Sequence, residues 1–89
     1  MPERQAKDYA NENTVHTIKI LEALEGANFE PVEIKRIMER SDLPYDKCRR
    51  VLMTLEMLGW AIQNEQKEWT FGKRLIKLAH RLRRYKEGV

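Results

Sequence analysis

Cysteine is all but missing from this 89-residue sequence. Cys48 stands alone, which excludes an internal disulfide framework. Histidine is as scarce: His16 and His80 lie at the two ends of the pattern, neither with a carboxylate, cysteine or serine at a spacing that suits a metal or a triad. The four glycines, Gly26, Gly59, Gly72 and Gly88, fall at element ends, so there is no glycine-rich phosphate loop. No apolar run approaches the ~18 residues of a membrane span, and the opening Met-Pro-Glu-Arg-Gln lacks the apolar stretch of a secretory signal. These absences point to a reducing, cytoplasmic setting with no membrane partner. They predict a protein that is not an enzyme and uses no metal or cofactor.

What is present is charge. Charged residues make up 35% of the chain and apolar residues 42%, the profile of one small domain with a modest core. The formal net charge of +3 conceals an asymmetry. Residues 1–33 carry three basic and seven acidic residues, a net of −4, whereas residues 34–89 carry fourteen basic and seven acidic, a net of +7. A basic C-terminal two-thirds favours a polyanionic partner over a neutral one.

Residues 1–12 are polar and read as a frayed N-terminal arm or a helix extension, with the domain over 13–89. From Thr14, an N-cap type, Val15, Ile18, Leu21 and Leu24 recur at helical spacing until Gly26 and Asn28. A second helix is expected from Glu30-Pro31, with Ile34, Ile37 and Met38 inward. Ser41-Asp42-Leu43-Pro44 breaks the pattern as a tight turn. A third helix follows over about Tyr45 to Leu58, its stripe Cys48, Val51, Leu52, Leu55 and Leu58, and Gly59 ends it. Cys48 reads as a small apolar filler within that stripe.

Trp60-Ala61-Ile62-Gln63 and Trp69-Thr70-Phe71 are strand formers around a polar tip, hence a β-hairpin whose aromatics cover the helices. A basic amphipathic helix over 73–86 comes last. The fold class is therefore mostly α with a small β-hairpin: a winged helix-turn-helix, with a three-helix core, a wing and a C-terminal helix.

The residues that carry this pattern also resemble a family. Ser41-Asp42-Leu43-Pro44, followed by Arg50-Val51-Leu52-Met53-Thr54-Leu55-Glu56-Met57-Leu58-Gly59-Trp60, is similar to the DNA-binding domain of the isocitrate lyase regulator (IclR) family. The shared features are a Leu-Pro turn, an Arg-Leu-Leu core and a Leu-Gly-aromatic exit. Ile18-Lys19-Ile20-Leu21-Glu22-Ala23-Leu24 resembles the family's first helix, and Trp69-Thr70-Phe71-Gly72-Lys73-Arg74-Leu75 its wing exit. Asp42 stands where the family usually has glycine, and Asp46 and Lys47 where small hydroxyl residues often open its recognition helix. These 89 residues leave no room for the effector-binding domain that normally follows in the family, so none is expected within them. The resemblance implies the fold and DNA binding, and no small-molecule effector.

On a wheel of ~100° per residue, the side of the third helix opposite its stripe carries Asp46, Arg49, Arg50, Met53 and Met57, flanked by Tyr45 and Lys47. The N-terminal half of such a helix enters a major groove, where arginine pairs with guanine and lysine or tyrosine holds phosphates. The candidate DNA-binding residues are thus Tyr45, Lys47, Arg49, Arg50 and Met53, with Asn64 and Lys67 at the wing tip and Lys73 beyond it. Asp46 suits the positive end of its helix. The tip makes either a phosphate contact or an ordinary hairpin turn.

The expected function is sequence-specific binding of double-stranded DNA, by a small transcriptional regulator or a phage or mobile-element accessory protein. The alternative is a winged-helix protein adaptor or assembly module, to which the outward Met53 and Met57 lend themselves. A homodimer is expected from the last helix. Leu75, Leu78, Ala79, Leu82 and Tyr85 share one side, Lys73, Lys77, His80, Arg81 and Arg84 the other. The start of that stripe closes the domain's own core, and Leu82 and Tyr85 await a partner.

Overall fold

The computed structural model describes residues 10–26 and 28–88. Among the described residues, four helices and one antiparallel hairpin follow in the order α1 (Glu12–Glu25), α2 (Ile34–Ser41), α3 (Tyr45–Met57), β1 (Ala61–Gln63), β2 (Trp69–Phe71) and α4 (Lys73–Glu87). Residues 1–9 of the expected arm lie outside the described residues.

The first helix begins earlier than Thr14. Asn11 is its N-cap, and its side-chain oxygen accepts from the Thr14 amide at 3.1 Å. Its buried residues are Ile20, Ala23 and Leu24, whereas Val15 and Ile18 of the expected stripe are exposed. The reason is geometric. Steps of three residues drift by about 60° each, so the series 15, 18, 21, 24 winds over half the helix, and only its end meets the core.

The second helix starts at Ile34, not at Pro31, because the preceding segment is extended and pairs with the hairpin. Val32 and Trp69 exchange both backbone hydrogen bonds, at 2.8 and 2.7 Å. Val32 thereby joins the outer edge of β2 as a one-residue third strand, and Pro31, which lacks an N–H, stays outside it. Ile37 is fully buried, with Ile34 and Met38 packed against the core as expected.

The turn between α2 and α3 is held by side chains as well as backbone. Asp42 takes the left-handed conformation (φ 57°), and its amide reaches the Met38 carbonyl at 2.9 Å. Glycine does this at least cost, but aspartate is among the residues that tolerate it. Buried Ser41 donates to the Ile37 carbonyl at 2.7 Å and lies 3.6 Å from the Cys48 sulfur. Cys48 is fully buried, the filler its stripe implied.

The third helix buries Cys48, Leu52 and Leu55, with Val51 half-buried. Leu58, expected to extend the stripe, is instead the C-cap and is 58% exposed, since the helix stops one residue short of it. The stop is a Schellman arrangement: the Trp60 amide bonds the Leu55 carbonyl at 2.8 Å and the Gly59 amide bonds Glu56 at 3.0 Å, with Gly59 at φ 82°.

The hairpin pairs Ala61 with Phe71, Ile62 with Thr70 and Gln63 with Trp69. Ala61 and Trp69 face the core; Trp60 precedes the strand, and it and Phe71 pack at the core's edge. Gly72 then meets the exit of α3. Its amide bonds the Trp60 carbonyl at 2.8 Å, and the Arg74 amide bonds Gly59 at 3.0 Å. A Cβ on Gly72 would sit 2.8 Å from the Gly59 carbonyl carbon, so glycine is required there by space, not by φ.

The last helix departs from expectation. None of its residues is buried, so the start of its stripe does not close the core; Leu75 alone is half-buried. Phe29, held at φ 58°, stacks obliquely on Phe71 with ring centroids 5.9 Å apart. With Leu75, Ile76 and Ala79 this pair lines an open apolar groove.

Candidate nucleic-acid interface

The groove-facing candidates owe their exposure to the burial of Cys48, Leu52 and Leu55 on the other side of α3. Those three residues fix the rotation of the helix, and Asp46, Arg49, Arg50 and Met53 point outward as a consequence. Together with Thr54 they line one shallow depression. Among the described residues neither Arg49 nor Arg50 forms an ion pair, so both guanidinium groups keep their donors available. Thr54 was not singled out from the sequence. Its hydroxyl returns to the Arg50 carbonyl at 2.8 Å, and the hint was its place four residues after Arg50.

Tyr45 is exposed in the first turn, and Asp46 places a carboxylate there, where the helix dipole favours it. Lys47 behaves differently. Half-buried, it turns toward α1, and its ammonium donates to the Asn13 side chain at 3.3 Å. Arg50 borders both the depression and the groove between α1 and α3 that Lys47 helps to line.

At the wing tip Asn64 is engaged by its neighbour. Its oxygen accepts from the Glu68 amide at 2.8 Å and its nitrogen donates to the Glu68 carboxylate at 3.0 Å. These two bonds close the turn. Lys67 sits in the left-handed region (φ 63°), with its backbone amide on the Asn64 carbonyl at 3.0 Å and its side chain exposed. Lys73 is exposed at the start of α4, which is tied to the C-terminal exit of α3. It therefore stands beside the C-terminal end of α3.

One arginine of the basic C-terminal two-thirds is structural. Arg40 donates to the Ala23 carbonyl at 2.9 Å, capping the end of α1, and its guanidinium packs on Gly26. No three histidine, cysteine or acidic side chains gather as a metal-ligand set among the described residues. No described helix is long and apolar enough to cross a membrane.

Two helices joined by a pinned turn, with a hairpin beside the second, make a winged helix-turn-helix. Solved structures share this fold. One, the IclR transcriptional regulator from Alicyclobacillus acidocaldarius, aligns with a TM-score of 0.75 at 25% identity over 83% of this chain. HmgR from Pseudomonas aeruginosa aligns at 0.71 with 21% identity over 78%. An IclR homolog from Microbacterium hydrocarbonoxydans, complexed with 4-hydroxybenzoate, aligns at 0.67 with 20% identity over 74%. The chain spans less than a third of each of them: 30%, 28% and 27% respectively. The likeness suggested by Ser41–Pro44 and Arg50–Trp60 thus holds at the level of the fold. No family model matches the chain, and no curated protein does.

Proposed function

We propose that the protein is a transcriptional regulator that binds double-stranded DNA in a sequence-specific manner, acting in the cytoplasm. The observation that carries this reading is the pair Arg49 and Arg50, exposed and free of ion pairs among the described residues, on the second helix of a helix-turn-helix. Arg50 reads a base edge from the major groove, and Arg49 reads beside it or holds the backbone. Tyr45, Lys47, Lys67 and Lys73 supply phosphate contacts, and Asn64 shapes the wing that presents Lys67. No enzymatic step and no small-molecule effector is part of this reading.

The binding unit is a homodimer. Ile76, Leu78, Leu82 and Tyr85 are all at least half exposed along α4, an apolar surface that needs cover. Charge favours a particular cover. The α4 segment carries seven basic residues and one acidic, a net of +6, so two such helices repel each other. The α1 segment carries three acidic residues and one basic, and it exposes Val15 and Ile18 beside Glu22 and Glu25. The partner's first helix is thus the better complement for α4. Two recognition helices on a symmetric dimer address half-sites ~34 Å apart and a palindromic sequence.

The second reading, a protein adaptor, rests on Met57, which is 78% exposed, next to exposed Leu58 at the far end of α3. A salt titration of duplex binding separates the two. Neutralising four to six phosphates makes affinity fall steeply, as a straight line on logarithmic axes, with a slope of roughly −4 to −5. No duplex binding at ~50 mM salt would remove the DNA reading and leave the adaptor.

A further inference from the structure

Met53 is 45% exposed on the face of α3 that also carries Arg49 and Arg50. It lies three residues after Arg50 and four after Arg49, the two spacings that make helical side chains neighbours. A thioether donates no hydrogen bond and carries no charge, so it gains nothing from a phosphate. Between two arginines that seek a polyanion, it must meet an apolar part of the same ligand or remain wasted. A duplex offers few such parts. Along the major-groove edge every recognition atom is a polar nitrogen or oxygen, except the C5-methyl group of thymine.

We propose that Met53 reads a pyrimidine C5-methyl group in the major groove, next to the base that Arg50 addresses. The proposal rests on the duplex-binding reading above and adds to it a specific partner atom. Methionine suits the task because three rotatable bonds let its sulfur and terminal methyl adjust to a methyl whose position depends on local DNA shape. Met57, more exposed still, lies a full turn nearer the C-terminus, where a recognition helix docked by its N-terminal half has left the groove. Its exposure therefore does not compete for the same role. Thymine supplies the methyl in unmodified DNA, and 5-methylcytosine presents the same group.

The test needs only the intact chain and synthetic duplexes. A preferred site is selected from a random pool, and each of its thymines is replaced in turn by deoxyuridine, which keeps the pairing and removes the methyl. One position per half-site should bind about fourfold more weakly, the value of one buried methyl. In Met53→Ala that difference between thymine and deoxyuridine should vanish. Placing 5-methylcytosine, but not cytosine, at the same position should recover most of the methyl's contribution. Equal binding to every deoxyuridine duplex would overturn the proposal while leaving DNA binding intact, and so would a Met53→Ala chain that still discriminates. A chain that selects no duplex at all would fail the duplex reading itself, an outcome visible before any substitution is made. The scan on the unaltered chain does not depend on how well the variant folds.

Discussion

The third and fourth helices are similar in length, 13 and 15 residues, and both are amphipathic in sequence. Their fates differ. The third buries Cys48, Leu52 and Leu55 in the centre of the domain, whereas the fourth buries nothing. The contrast teaches that an apolar stripe identifies a face and says nothing of what covers it. For α3 the cover comes from α1, α2 and the hairpin, all in the same chain. For α4 the first turn is tied down at Gly59 and Gly72, and the rest of the stripe stays exposed.

The comparison breaks most easily at Leu52. Leu52→Ala leaves a cavity in a fully buried position and should lower stability by about 2–5 kcal/mol, measured by denaturant unfolding. Leu82, 55% exposed, should lose about 0.5 kcal/mol or less on the same substitution at concentrations too low for association. Equal losses would mean that α4 folds back onto the core. At tens of micromolar, Leu82→Glu should halve the mass seen by light scattering, and Ile18→Glu should do the same if the partner's α1 is what covers α4. A chain already monomeric at that concentration would remove the dimer.

What the sequence disclosed follows the same division. Some turns and caps were legible from single residues: Gly59 ends α3 at a positive φ, and Pro44 precedes it, whereas the cap of α1 falls on Asn11 and not on the equally eligible Thr14. The outward face of α3 was legible too, since Cys48, Leu52 and Leu55 fix its rotation. Features set by distant partners were not. The phase of α1 depends on which side α2 and α3 approach, and the extended Val32 depends on Trp69, 37 positions later. At the site, composition cannot tell Arg40, spent on the end of α1, from Arg50, or show that Asn64 is occupied by Glu68. Side-chain partners decide these, and partners appear only once the chain is folded.

The two helices also differ in what their basic residues should do. Arg50→Ala, on the face of α3, should cost about 1–3 kcal/mol on a preferred duplex and relax its sequence preference. Lys77→Ala, on α4, should weaken preferred and random duplexes alike or leave both unchanged. Competition binding against a random duplex reads the difference. Uniform losses for Arg50→Ala would make it a backbone contact and shift base reading toward its neighbours on the same face.

The two helices differ, finally, in how each is started, and two substitutions of opposite kind test that difference. Before α4, glycine is present because of crowding: Gly72→Ala drives a methyl against the Gly59 carbonyl and should cost about 1–3 kcal/mol. Before α3, glycine is missing where the backbone is left-handed, at Asp42. Asp42→Gly relieves that conformation, and it removes a negative charge from the carbonyl end of α2, where the helix dipole disfavours one. Against this stands the greater freedom that glycine gives the unfolded chain, which offsets much of the gain. The balance should be a stabilisation of about 0.5 kcal/mol, visible as a small rise in the denaturant midpoint with no change in slope. Because the aspartate side chain makes no hydrogen bond to the turn, nothing else is lost with it. A destabilised Asp42→Gly would mean that the carboxylate itself holds the turn before α3.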